Sequence, residues 1–231
     1  MKLQTELLRK FLDKTTLKGV IENFVLRTTE QGIQADFAAQ NILAIHSIIP
    51  KGKVSDFKPG EKMMIRDSRL LLQMLRSATG VISVEVRDNF IVLRTEQKAI
   101  SYAMCDEDYI ANKTEERRIQ VKEKGVVNSD VLKSAASNTK LLEAGSTVIS
   151  ITKGQLKVVS KGESDQIEET CPIEYADIKG NEYGSYFLQI ADVLEDKVHL
   201  ATKDGFPIIL EENSEDMQVS FTLAPLETTE S

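Results

Sequence analysis

The chain has 231 residues, 41% of them hydrophobic and 28% charged, with a formal net charge of -7 and two cysteines. That length and balance suit one large core or two smaller ones, and they exclude a disordered or low-complexity protein. The acidic total excludes wrapping of nucleic acid by the whole surface, so any contact with DNA has to be local.

Residues Lys2 to Lys18 read as a first helix, with Leu7, Leu8, Phe11 and Leu12 inward and Arg9, Lys10 and Lys14 outward. Strands follow in Asn23 to Thr28 and Gly32 to Phe37, then a long apolar strand within 38–50 closed by Pro50. The run KGKVSDFKPGEK is a turn-rich joint. The clearest unit spans Arg66 to Met104. There Leu71, Met74, Leu75 and Ala78 recur as an apolar helical stripe, while Arg69, Gln73 and Arg76 recur on another face. Asp67 or Ser68 can cap the start of this helix, and Gly80 can end it because glycine tolerates positive φ. VISVEV, an Asp-Asn turn within Arg87 to Phe90, and IVLRT then form a hairpin.

After Met104 the run CDEDYIANKTEERR is dense in charge and reads as an extended connector anchored by Tyr109 and Ile110. The expected division is an N-terminal domain over 1–105, a connector over 106–118 and a C-terminal domain over 119–231. IQVKEKGVV resumes strand character; NSDVLKSAASNTKLLEAG is a third helix carrying Lys133 and Lys140; STVISITKGQLKVVS is its hairpin. A polar excursion, SKGESDQIEETCPIEY, leads into another strand, and DIKGNEYG reads as a joint. A fourth helix over Tyr186 to Asp196 holds no Lys or Arg and carries the acids Asp192 and Glu195. A hairpin within KVHLATKDGFPIIL and a final strand stopped by Pro225 close the chain. Helix plus hairpin therefore recurs with a period of roughly 60 residues, which predicts an α+β fold of two similar domains, each a duplicated unit.

No Gly-rich phosphate cradle occurs, and His46 and His199 fall in apolar strands where packing explains them better than metal ligation. The carboxylates cluster in loops with nothing to hold two of them as an acid and base pair. The reading is of a protein without catalytic residues, cofactor or metal. Cys105 and Cys171 lack a C-x-x-C neighbour, and the start MKLQTELLRK lacks a long apolar core, so an intracellular, reduced protein is expected. No run approaches the roughly 18 apolar residues of a membrane helix, so no membrane partner is expected.

Several stretches resemble the DNA sliding clamps, the family of proliferating cell nuclear antigen with its archaeal and tailed-phage members. LRKFLD at Leu8 to Asp13 is similar to that family's basic first helix, and NILAIHSI at Asn41 to Ile48 to the strand and loop beside its connector. DGFPIILEE at Asp204 to Glu212 and LAPLE at Leu223 to Glu227 resemble its closing motifs. The likeness implies a ring of three two-domain subunits whose helices line a central hole. It implies a processivity factor that encircles double-stranded DNA without sequence preference, with a DNA polymerase, a clamp loader and client proteins bearing short apolar and aromatic peptides as partners. It also implies a location with the DNA, in cytoplasm or nucleoid, or in a nucleus.

Under that resemblance the DNA-facing residues are Arg9, Lys10, Gln73, Arg76 and Lys133, to which helical spacing alone adds Lys14, Lys18, Arg69 and Lys140. The client-peptide pocket is Asn41, Ile42, Leu43, Ala44, Ile110, Leu223, Ala224, Pro225 and Leu226. Subunits of the homotrimer meet through edge strands, Lys98 to Met104 against Thr170 to Tyr175, with Ile100, Tyr102, Met104, Cys171, Ile173 and Tyr175 in contact. Two other readings stay open: a clamp-fold subunit of a hetero-oligomer or a monomeric processivity protein, and a β-rich protein-interaction scaffold that never binds DNA.

Overall fold

The computed structural model describes residues 1–39, 42–110 and 123–226. These form two compact units, one holding 1–39, 45–110 and 213–219, the other 42–44, 123–212 and 220–226. No helix among the described residues is long and apolar enough to cross a membrane.

The first part of the chain runs β1 (Lys2–Gln4), α1 (Thr5–Thr15), β2 (Phe24–Thr29), β3 (Gly32–Ala39), β4 (Leu43–Pro50), β5 (Lys62–Ile65), α2 (Ser68–Leu75), β6 (Val81–Arg87), β7 (Phe90–Arg94) and β8 (Ala99–Ala103). Strands β1-β6-β7-β8 form an antiparallel sheet, and β5-β2-β3-β4 run side by side in that order. Alternation places Ile82 and Val84 of β6 and Ile91 and Leu93 of β7 in the core beneath the helices.

The first helix starts later than its pattern predicts. Lys2, Leu3 and Gln4 pair with Ser83, Ile82 and Val81 of β6, so the chain's first residues are strand. An isolated helical periodicity cannot register a partner some 80 positions away. The helix also ends early: Lys18 lies beyond α1 in a turn, at φ 56°. Strand β5 carries no signal beyond its short KMMI run and is found only by its pairing with β2.

Helix α2 follows its sequence closely at its start. The Asp67 side chain accepts the Leu70 N–H at 2.9 Å, while Ser68 Oγ donates instead to the Ile21 carbonyl at 2.7 Å. Leu71, Leu75 and Ala78 are buried, but the helix closes earlier than its pattern predicts, at the C-cap Arg76, so that Ala78 and Gly80, the latter at φ 71°, lie past its end. Lys98 Nζ then donates to the Met74 carbonyl at 3.1 Å and to Ser77 Oγ at 2.9 Å, supplying a cation where the helix leaves carbonyls unpaired.

The second part runs β9 (Gly125–Asn128), α3 (Ser129–Leu141), β10 (Thr147–Thr152), β11 (Gln155–Lys161), β12 (Gln166–Pro172), β13 (Ile178–Tyr183), α4 (Ser185–Ala191), β14 (Lys197–Ala201), β15 (Ile208–Asn213) and β16 (Gln218–Leu223). Strands β12-β11-β10-β13 form one sheet, and β16-β15-β14-β9 run in order in another. Helix α3 packs on its sheet through the small residues Ala135 and Ala136, both fully buried. Its Thr139 hydroxyl meets Thr147 Oγ1 at 2.9 Å and Ser160 Oγ at 2.7 Å, and Thr139 and Ser160 each donate to the Ala135 carbonyl at 2.9 Å, so these buried hydroxyls are satisfied by one another and by the helix backbone. The segment read as a joint, DIKGNEYG, is instead strand β13, paired antiparallel with β10 across a register shift between Ile149 and Ile151. Its glycine and polar residues hide the strand, because β13 is an edge whose outward positions need not be apolar. Both parts repeat one plan of strand, helix and antiparallel hairpins, an α+β fold of two similar domains.

Of the connector, residues 111–118 lie outside the described residues. At its start Glu107–Tyr109 make a 3-10 turn; Ile110 is buried, but Tyr109 is 79% exposed and anchors nothing. The expected strand over 119–127 is seen as β9 from Gly125 onward, the residues before 123 also lying outside.

On the face of β2, β3 and β4 opposite the core, Asp36 is held by His46 Nδ1 at 2.5 Å and Gln34 Nε2 at 2.7 Å, with Arg27 at 3.9 Å. Burial acts to raise the Asp36 pKa. The hydrogen bonds from His46 and Gln34 and the charges of His46 and Arg27 outweigh it, and the carboxyl titrates below its ordinary 3.8. A depressed carboxyl stabilises the fold above its unfolded pKa and loses that contribution as pH falls through its folded pKa. Asp36→Asn is therefore expected to unfold at lower urea than the wild type at neutral pH. The gap should close as the pH drops below 3.8, as urea midpoints across a pH series will read.

Candidate nucleic-acid interface and client surface

Burial of one helix stripe decides where the cations go. In α1, Leu8, Phe11, Leu12 and Thr15 face the core, and Lys10 stands exposed with Arg9 half-exposed beside it. Lys14 departs from its expected outward place. It is 3% exposed, because it lies one turn from Phe11 and its stem is drawn along the flank of the buried stripe. Leu7, expected inward, is only half-buried. On α2, Arg69, Gln73 and Arg76 are all exposed and share one face at i, i+4, i+7 spacing.

The two helices are tied by these same residues. Arg9 Nη1 donates to the Arg76 carbonyl at 3.1 Å, and Arg69 Nε donates to the Gly19 carbonyl at 2.8 Å. Gly19 sits at φ 90°, and a Cβ there would lie 2.6 Å from Arg69 Cγ, so only glycine lets the Arg69 stem cross the turn. Lys18 stands exposed on that turn. Beneath it burial raises the Asp13 pKa, opposed by the charges of Lys18 and Arg9. Lys10, Lys18, Arg69, Gln73 and Arg76, with Arg9, thus form one polar, mainly cationic surface in the first unit.

The second unit presents less positive charge. Lys133 is half-exposed, and Lys140 is exposed but paired with Asp192 at 2.6 Å. Helix α4 brings Phe187, Ile190 and Ala191 inward and offers no cation outward.

Of the client-pocket residues, Asn41 lies outside the described residues. Leu43 and Leu223 are 1% exposed, so both are core, as is Ile110 in the first unit; alternation along a strand puts every second side chain inside. Ile42 and Leu226 remain outward at 46% and 45% exposure, with Ala224 and Pro225 half-buried. Ala224 N–H donates to the Ile42 carbonyl at 2.8 Å, and Leu226 N–H to the Glu182 carbonyl at 2.7 Å, which ties both apolar residues to the neighbourhood of β13. The structure adds Phe206. Its ring is exposed under Lys203 Nζ at 3.7 Å, and its carbonyl accepts the Asn181 side-chain N–H at 3.3 Å. Asn181 and Tyr183 are themselves buried, so this loop is fixed from within. An aromatic beside Pro207 in a Lys-Asp-Gly turn was the available signal.

Strands β8 and β12 are edges of their respective sheets, as proposed for subunit contact. The contact residues named for them need correction. Tyr102 is 1% exposed, its hydroxyl accepting the Arg66 and Asp67 N–H groups at 3.1 and 2.7 Å and donating to the Asp67 carbonyl at 3.0 Å. It is an interior tie between β8 and α2. Ile100 and Ile173 are also buried within their own units, and Ile173 packs over Gly125, where a Cβ would meet its Cδ1 at 2.4 Å. Tyr175 donates from its hydroxyl to the Thr202 carbonyl at 2.8 Å, and residues 173–175 lie past the end of β12. Each belongs to the inward parity of its strand or to a loop packed on its own unit. Met104 and Cys171 are half-buried, and the outward edge positions are Ala99, Ser101, Glu168 and Thr170.

Burial pushes the thiols of Cys105 and Cys171 up, which favours the unreactive protonated form. Among the described residues no three His, Cys, Asp or Glu side chains are grouped to hold a metal ion.

No model of a known protein family matches the chain, and comparison with curated proteins finds no match. Solved structures do match, over nearly the full length. The chain is similar to A. fulgidus PCNA bound to the C-terminal region of FEN-1, at 15% identity and TM-score 0.81, covering 100% of this chain and 99% of that one. It is similar to the Entamoeba histolytica proliferating cellular nuclear antigen at 17% identity and TM-score 0.82, covering 98% of both. It is also similar to the PCNA2-PCNA3 complex of Sulfolobus tokodaii at 14% identity and TM-score 0.78, covering 98% and 99%. Two duplicated helix-and-hairpin domains, matched end to end, give this chain the fold of the proliferating cell nuclear antigen clamps.

Proposed function

We propose that this protein is a DNA sliding clamp, a processivity factor that encircles duplex DNA and tethers polymerase and other replication proteins to it. The observation that carries the reading is the exposed cationic face of α1 and α2, formed on a clamp fold by Lys10, Lys18, Arg69 and Arg76. Lysine and arginine meeting phosphates bind without reading bases, and such contact weakens with salt by about 0.9 in log-log slope per phosphate neutralised. At physiological salt the Debye length is about 8 Å, so these cations act on an adjacent duplex while the acids elsewhere on a chain of net charge -7 are screened. Retention then comes from closure of a ring, and the weak contacts leave the DNA free to slide.

Closure follows from the free edges of β8 and β12. A row of unpaired backbone groups on each invites strand pairing with another copy, and joining unlike edges head to tail closes a ring when the rotation permits. A homotrimer would run in solution as one species near three times 25.8 kDa. The Sulfolobus tokodaii structure holds two different clamp chains, which favours a second reading, a subunit of a hetero-oligomer. Light scattering of the pure protein separates the two, since a monomer at micromolar concentration supports the hetero-oligomer.

Replacing Arg9, Lys10 and Arg76 together by Ala should leave the oligomer intact and reduce polymerase stimulation on primed DNA at moderate salt. Unchanged stimulation would remove the cationic face from the mechanism.

The client site in this proposal is the apolar surface of Ile42, Phe206 and Leu226, and a client peptide is supported by the similar A. fulgidus PCNA having the C-terminal region of FEN-1 bound to it. A peptide with apolar and aromatic anchors would bury these side chains. Phe206→Ala with Leu226→Ala should weaken such a peptide by about tenfold or more in calorimetry, with unchanged thermal stability because both residues are already exposed.

A further inference from the structure

The chain leaves α1 through three successive residues in the left-handed region, Leu17 at φ 50°, Lys18 at φ 56° and Gly19 at φ 90°. That backbone is strained for leucine and lysine, which carry a Cβ, and among the described residues no other run of three occurs. The fold plan does not demand it, since the chain leaves α3 through one such residue, Glu143. The turn is held from both sides. Thr16 Oγ1 accepts the Gly19 N–H at 3.0 Å and donates to the Leu12 carbonyl at 2.7 Å. Ser68, opening α2, donates its hydroxyl to the Ile21 carbonyl at 2.7 Å and its N–H to the Glu22 carbonyl at 2.8 Å.

What the turn delivers is the Gly19 carbonyl, which accepts Arg69 Nε–H at 2.8 Å. The Arg69 side chain is exposed, and among the described residues it makes this hydrogen bond and no ion pair. A guanidinium anchored through Nε has its plane set and its Nη hydrogens open, a pair of parallel donors that fits two oxygens of one phosphate. A lysine there would be a point charge on a mobile stem. The anchoring needs glycine, because a Cβ at residue 19 would lie 2.6 Å from Arg69 Cγ. In α4 the residue after the opening serine is Tyr186, so the second unit has no such fork.

We propose that Gly19 is a positioning residue for DNA: its strained turn holds the Arg69 guanidinium as a pre-set fork that takes one backbone phosphate through both Nη atoms. The inference rests on the sliding-clamp reading above and adds to it a contact of fixed geometry. Because the fork is ordered before the duplex arrives, little side-chain freedom is lost on binding. Arg69 then fixes where a strand lies across α1 and α2 without reading bases.

The test is a double-mutant cycle read by anisotropy titration of a short fluorescent blunt-ended duplex with the full-length protein at low salt, alongside a thermal melt of each variant. Arg69→Ala is expected to weaken binding several-fold and to lower the log-log salt slope by about 0.9. Gly19→Ala changes no charge, yet should weaken binding to a similar extent, and the double variant should bind no worse than Arg69→Ala alone. Wild-type affinity in Gly19→Ala overturns the proposal. So do losses that multiply in the double variant, which would make the shape of the turn matter apart from Arg69. Arg69→Lys keeps both the charge and the glycine, and it decides the matter even where Gly19→Ala melts early. A several-fold loss at an unchanged slope is expected there, and wild-type affinity removes the fork. Arg76→Ala separates the two levels of inference. A loss in that variant with none in the Arg69 variants leaves the clamp reading standing and removes this one, whereas no duplex binding by the wild-type protein removes both.

Discussion

The exposed cationic face of the first unit is positioned by the burial of one stripe on each of the helices α1 and α2. Leu71 and Leu75 in α2, and Phe11 and Leu12 in α1, are buried, and that turns Arg69, Gln73, Arg76 and Lys10 outward. Burying side chains of this size is worth about 1.5–3 kcal/mol each, far more than any single exposed charge contributes. The cationic surface is thus a by-product of core formation. Arg9, Arg69 and Lys98 show how the fold secures it further, each spending hydrogen bonds on a backbone carbonyl that a helix end or turn leaves open.

The two units solve the same packing problem with different chemistry. In the first, tyrosine and arginine tie the helix ends: Tyr102 holds the start of α2, and Arg9 the carbonyl of its C-cap, Arg76. In the second, small residues and hydroxyls bring α3 close to its sheet, and the outward face is thinner in charge, ending in the Lys140 and Asp192 pair. The buried residues of the helices and the charges on their solvent faces thus both differ between the two units. In the proposed ring this divergence places a stronger and a weaker electrostatic surface in every subunit.

Tyr102 and Tyr175 carry a related lesson. Both stand near edges, and both have polar tips that look suited to an interface. Each hydroxyl instead bridges backbone groups within its own unit, Tyr102 at Asp67 and Tyr175 at Thr202. A buried phenol must find partners, and the nearest unpaired N–H and carbonyl groups lie inside. The exposed apolar surface proposed for clients is built on the same principle, since the Asn181 and Tyr183 network fixes the loop that leaves Phe206 outside.

The helical periods, the Asp67 cap and the repeat of helix plus hairpin were legible in the sequence, because each depends on residues within a turn or two of one another, whereas α2 closes at Arg76, before the expected stop at Gly80. The gathering of cations on the first three helices was legible too, although the fold buries Lys14 of α1 and pairs Lys140 of α3 with Asp192. Tertiary structure alone decided that Lys2–Gln4 is a strand, that Ile178–Tyr183 is one as well, that Lys14 is buried, and that Leu43 and Leu223 are core while Phe206 is surface. The reason is physical: strand pairing and burial are set by neighbours far along the chain, and no local pattern of residues contains the identity of those neighbours.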